Sequence, residues 1–150
     1  MTYKYAKLTP GPELRRSGRS GLRRKVSLPA TASRILVVDR SGELLSLLEA
    51  DPGAAGFDFW SAGDGQEALE VACSELPDVI VADFDMPGMN GIELCKAVRG
   101  SVWVRLPIVL VIDSQTREII ATATQAGADF CLPKPVDPTR LVSLIAGLTK

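Results

Sequence analysis

The chain predicts an α/β domain built on a parallel sheet with helices on both faces, and three observations predict it. Aliphatic runs such as Ile35-Leu36-Val37-Val38 and Ile108-Val109-Leu110-Val111-Ile112 show no polar alternation, which marks strands covered on both sides. Between the runs, apolar residues recur at helical spacing. Helix-start residues such as Asp64, Asn90 and Asp137-Pro138 fall just before those helical stretches. Five strands alternate with five helices, and right-handed crossovers then bury the sheet between two helical layers.

The elements follow in order. Residues 1–33 read as a basic, flexible arm: Thr9-Pro10-Gly11-Pro12 breaks regular structure, and Gly18 and Gly21 interrupt any helix across its arginines. Residues 34–150 form the folded domain. Its first strand is Ile35 to Val38, and Leu44, Leu45, Leu47 and Leu48 give the stripe of its first helix. Phe57 to Ala62 is a second strand, at an edge. Asp64 caps a helix whose apolar side is Ala68, Leu69, Ala72 and Leu76. Val79 to Ala82 is a central strand, and Asn90 caps a helix that buries Ile92, Leu94, Cys95 and Val98. Ile108 to Ile112 is the fourth strand. Ser114 to Ala126 is a helix with Ile119, Ile120 and Ala123 inward. Phe130 to Leu132 is the last strand. Asp137-Pro138 opens a helix that turns Leu141, Leu144, Ile145 and Leu148 to the core.

Composition narrows the function. The 150 residues are 46% hydrophobic, enough for one full core, and only 5% aromatic, so that core is aliphatic. There is no histidine, which removes histidine general bases, histidine metal ligands and a histidine phosphocarrier. Cys73, Cys95 and Cys131 are unclustered, as expected of reduced, mostly buried thiols in a cytoplasmic protein. The longest apolar run, around Val102 to Ile112, is broken by Arg105 and is too short to span a membrane. The arm has no apolar stretch behind its charges and does not read as a signal peptide. A P-loop lysine motif is absent, and no phosphate loop follows the first strand, so the chain does not read as an enzyme.

Charge is divided unevenly. Residues 1–34 hold nine Lys and Arg against Glu13 alone, whereas residues 35–150 hold eight against seventeen Asp and Glu. Arg15, Arg16, Arg19, Arg23, Arg24 and Lys25 make the dense part of the arm. Such a stretch suits an anionic partner: a nucleic acid, an anionic membrane surface or a cyclic dinucleotide held by Arg pairs four apart. The same charges also suit a solvated tail, or an arm folded on its own acidic domain.

The chemistry concentrates in Asp83-Phe84-Asp85-Met86-Pro87-Gly88-Met89-Asn90-Gly91 and in Lys134-Pro135. An Asp closes one apolar strand and a lone Lys ends another. In an open parallel sheet such strand ends meet at one edge, where ligands bind. A carboxylate there can attack a phosphoryl group, and a cation can neutralise the charge on its oxygens.

With Asp64-Gly65 and Gly127-Ala128-Asp129 at matching spacing, the stretch from Arg34 to Leu148 resembles the receiver domain of two-component response regulators. The resemblance implies a flavodoxin-like doubly wound sheet of order 2-1-3-4-5. It implies that Asp83 is the phosphoacceptor, that Lys134 contacts the phosphoryl oxygens, and that the Lys134-Pro135 bond is cis. It also implies Mg²⁺ as cofactor, with Asp39, Asp83 and Asp85 as candidate ligands. The implied partners are a sensor kinase and a downstream target, met through the fourth helix, fifth strand and fifth helix.

Four positions depart from the family pattern. Arg40 stands where a second acid ordinarily binds Mg²⁺, and its guanidinium can pair with Asp39 or Asp83 in the metal position or turn to solvent. Ile112 replaces a hydroxyl residue, Cys131 an aromatic one, and Val136 a common Phe. Two readings stay open: a stand-alone receiver working by phosphorelay, or a pseudo-receiver acting as a scaffold or anionic-ligand module.

Overall fold

The computed structural model describes residues 32–101, 105–113 and 116–149. The basic arm, including Arg15, Arg16, Arg19, Arg23, Arg24 and Lys25, lies outside the described residues, and so does Ser114.

Strands and helices alternate as β1 (Ser33–Val38), α1 (Glu43–Ala50), β2 (Phe57–Ala62), α2 (Gly65–Glu75), β3 (Val79–Asp83), α3 (Gly91–Arg99), β4 (Ile108–Ile112), α4 (Arg117–Ala126), β5 (Phe130–Pro133) and α5 (Pro138–Leu148). A 3₁₀ turn at Pro52–Ala54 follows α1. The sheet is parallel, in the order β2-β1-β3-β4-β5. Alternate residues of each strand feed two cores. Leu36, Val38, Ile80, Ala82, Leu110 and Ile112 pack under α2 and α3, with Leu69 and Leu94. Ile35, Val37, Val79, Val81, Val109 and Val111 pack under α1 and α5, with Leu48, Leu141 and Ile145. The uninterrupted aliphatic runs thus have the cause the sequence suggests.

The caps are local and behave as expected. Asp64 accepts the Glu67 N–H, Asn90 and Glu93 form a reciprocal capping box, and Asp137 accepts the N–H groups of Thr139 and Arg140. Four details differ from the sequence reading. α4 begins at Arg117, because the Thr116 hydroxyl accepts the Ile119 N–H there. Ile120 is exposed, while Ile119 packs against the core. Leu47 sits on the solvent side of α1. Leu76 falls just past α2 in a left-handed conformation, φ 50°, which swings it out of the stripe and leaves it 61% exposed. Among the described residues, no helix is long and apolar enough to cross a membrane.

Candidate functional site

β1, β3, β4 and β5 all end at one edge of the sheet, and their next residues carry the polar groups. Asp83 closes β3 beside Val111, and Ile112 pairs with Pro133, so Asp113 and Lys134 emerge side by side. The backbone fixes this edge further. The Phe84 N–H donates to the Val111 carbonyl at 2.9 Å, and the Lys134 N–H donates to the Ile112 carbonyl at 2.9 Å. Gly91 opens α3 against the loop that carries Asp85: a Cβ there would lie 2.9 Å from the Phe84 Cα, so only glycine lets the loop close this tightly.

The Asp83 carboxylate is held at both oxygens. Its Oδ2 accepts from Lys134 Nζ at 2.9 Å, and its Oδ1 accepts from the Asp85 N–H at 3.1 Å. The Lys134-Pro135 bond is cis. Lys134 also reaches Asp113 Oδ1 at 3.5 Å. Burial pulls the Lys134 pKa down, but hydrogen bonding and charge from Asp83, then Asp113, outweigh it and leave the pKa raised. The ammonium is therefore a standing cation beside Asp83. A cleft of about 380 Å³ opens over this pair, walled by Asp39, Ser41, Leu44 and Val136.

Asp39 has a different employment. Its Oδ2 accepts the Leu44 N–H at 2.8 Å, and its Oδ1 accepts the Ser41 N–H at 3.3 Å. It thus satisfies donors at the start of α1, where Gly42 has no side chain to do so. Arg40 is exposed and, among the described residues, pairs with neither Asp39 nor Asp83. Its guanidinium does not fill the metal position. The Asp85 side chain is exposed. Ile112 is buried in the core under α2 and α3, and Cys131 is half-buried against the same core, where burial raises its thiol pKa.

The donor set bears on Mg²⁺, which receiver domains typically use in phosphorylation. The ion needs an octahedral set of oxygens with one or two carboxylates free to bind. Here Asp39 serves a helix start, Asp83 is paired with Lys134, and position 40 offers a cation. Among the described residues, no three carboxylate or thiol side chains converge to hold a metal ion. As arranged, two of the three candidate carboxylates are already engaged, and the third, Asp85, is exposed.

Asp113 was not singled out from sequence, where it reads only as the residue after Ile112. Its place beside Lys134 follows from the parallel register of β4 and β5.

A family model described as the response regulator receiver domain matches residues 35–146. The chain belongs to the response-regulator receiver family. Response regulator PleD of Caulobacter vibrioides is 35% identical over 120 residues, covering 79% of this chain and 26% of the relative. The DNA-binding response regulator MtrA of Mycobacterium tuberculosis is 35% identical over 112 residues, 75% of this chain and 48% of the relative. The chain thus spans a quarter to a half of these curated relatives. Among solved structures, the chemotaxis protein CheY4 of Vibrio cholerae matches with TM-score 0.70 and 32% identity, over 77% of this chain and 98% of that one. The receiver domain of the Francisella response regulator 1452 matches with TM-score 0.71 and 27% identity, over 78% and 96%. Two-component signalling and the doubly wound fold are thereby shown.

Proposed function

We propose that Asp83 is the phosphoacceptor of this receiver, that Lys134 contacts the transferred phosphoryl group, and that the domain passes its state on by protein contact. The Asp83–Lys134 pair at the sheet edge, beneath an open cleft, carries the reading. One Asp83 oxygen attacks the phosphorus of a phosphohistidine or acyl-phosphate donor. An O–P bond forms, the donor's bond to phosphorus breaks, and its electron pair leaves with the donor group. Lys134 balances the charge on the phosphoryl oxygens. A sensor kinase is the donor class and an output protein the recipient. With position 40 cationic and Asp39 engaged, transfer is slow and weakly dependent on Mg²⁺.

One observation favours a second reading, in which the receiver signals without phosphoryl transfer: the Asp39 carboxylate is committed to α1. Incubation with acetyl phosphate, with and without Mg²⁺, separates the two by intact mass. A gain of one phosphoryl group that vanishes in Asp83→Asn supports phosphotransfer. No gain at saturating donor and Mg²⁺ decides for the second reading.

A further inference from the structure

We propose that Asp113 is a positioning residue that shares Lys134 with Asp83, so that the state of Asp83 reaches the end of β4 through this lysine. The relay rests on the reading of Asp83 as phosphoacceptor; the sharing itself does not. The Lys134 ammonium lies 2.9 Å from Asp83 and 3.5 Å from Asp113, so one cation bridges the end of β3 and the end of β4. An ammonium has three donors and adapts to two carboxylates at once. The two partners differ in setting: the Asp83 side chain is 15% exposed and Asp113 is 65% exposed. Asp83 therefore holds the lysine more firmly, and Asp113 draws it toward the solvent side.

The neighbouring residue makes the arrangement consequential. Ile112 is buried and has no hydroxyl with which to follow a phosphoryl oxygen. Among the described residues at the end of β4, the side chain that contacts the Lys134 ammonium is Asp113. A phosphorylated residue adds charge and three strong acceptor oxygens. At Asp83 these would draw Lys134 inward, and Asp113 would lose its cation. Removal of the Asp83 charge would act in the opposite sense and release Lys134 to Asp113.

NMR on the full chain tests both halves. In the unmodified protein, Asp83→Asn is expected to shift the Asp113 carboxyl carbon, and Asp113→Asn to shift the Lys134 ammonium, while Asp113→Glu leaves that ammonium near its original position. An unmoved Lys134 signal in Asp113→Asn overturns the sharing, whether or not Asp83 accepts phosphate. With acetyl phosphate, intact mass reports labelling of Asp83 separately. Where Asp83 is labelled, amide shifts over Val111 to Asp113 and the first turn of α4 are expected to fall by at least half in Asp113→Asn and to return in Asp113→Glu. Full shifts in labelled Asp113→Asn overturn the relay. Absence of labelling in every variant refutes the Asp83 reading and the relay built on it, and leaves the sharing to the first comparison.

Discussion

Asp39 Oδ2 accepts the backbone N–H of Leu44 at 2.8 Å, so a carboxylate that follows β1 is bound to the start of α1. Helix-start donors left without a partner destabilise by roughly 0.5–2 kcal/mol, so Asp39→Ala should lower the urea midpoint as well as weaken any cation binding.

Arg40→Asp should tighten Mg²⁺ binding by at least about tenfold, because the exchange alters the local charge by two units and the ion carries two charges of its own. Wild-type binding should be weak by comparison. Titration followed by amide shifts at Asp83 and Asp85 measures both. Equal affinity in the two proteins would show that position 40 does not control the site.

Arg99 joins three segments away from the site. Its guanidinium donates to the Leu106 carbonyl at 2.7 Å, to the Gly127 carbonyl at 2.7 Å and to Asp129 Oδ2 at 2.9 Å. Arg99→Ala should cost about 2 kcal/mol, since charge-assisted bonds to half-buried carbonyls are lost. Gly127→Ala should cost a similar amount for another reason. Gly127 has φ 112°, and a Cβ there would sit 2.5 Å from the Arg99 Cγ. Urea denaturation measures each; a loss below the error of the midpoint would refute the account.

Leu76 gains little where it stands. It is 61% exposed and holds a left-handed conformation that favours glycine. Leu76→Gly should leave stability unchanged or raise it by up to about 1 kcal/mol. A clear loss of stability would mean that the side chain has a partner beyond the described residues.

The Cys95 thiol is pushed from 9.0 up to about 12 by burial, which outweighs the lowering influence of Arg99. The unfolded chain therefore releases this proton first. Its contribution to stability is complete below pH 9 and is lost as pH rises toward 12, at up to about 1.4 kcal/mol per pH unit. The slope of stability against pH above 9 should be shallower in Cys95→Ala, whatever cavity that change leaves. Identical slopes would show that Cys95 does not titrate on unfolding.

Much of the fold was legible because its causes are local. β4 runs over the residues the aliphatic pattern marks, β2 runs over Phe57–Ala62 as read from the sequence, and Asp64, Asn90 and Asp137 cap the helices they precede. Periodicity erred where a residue sits at the margin of a stripe. Leu47 and Ile120 fit helical spacing yet lie on the outer side, and Leu76 is turned out by one backbone angle. At the site, Asp83 and Lys134 were legible because each ends a strand of one parallel sheet. The employment of Asp39 was not, since it depends on how the chain turns through Ser41 and Gly42 into α1. The place of Asp113 follows from register between β4 and β5, which no single strand displays.

Arg99 gives the domain a fixed foot. The end of α3, the approach to β4 and the turn before β5 are gripped by one side chain. Its opposite end is gathered by a lysine that two acids contest. The two ends of the sheet are thus tied in opposite ways: below, one cation gathers two backbone carbonyls and a carboxylate, and above, one cation is divided between two carboxylates that end neighbouring strands.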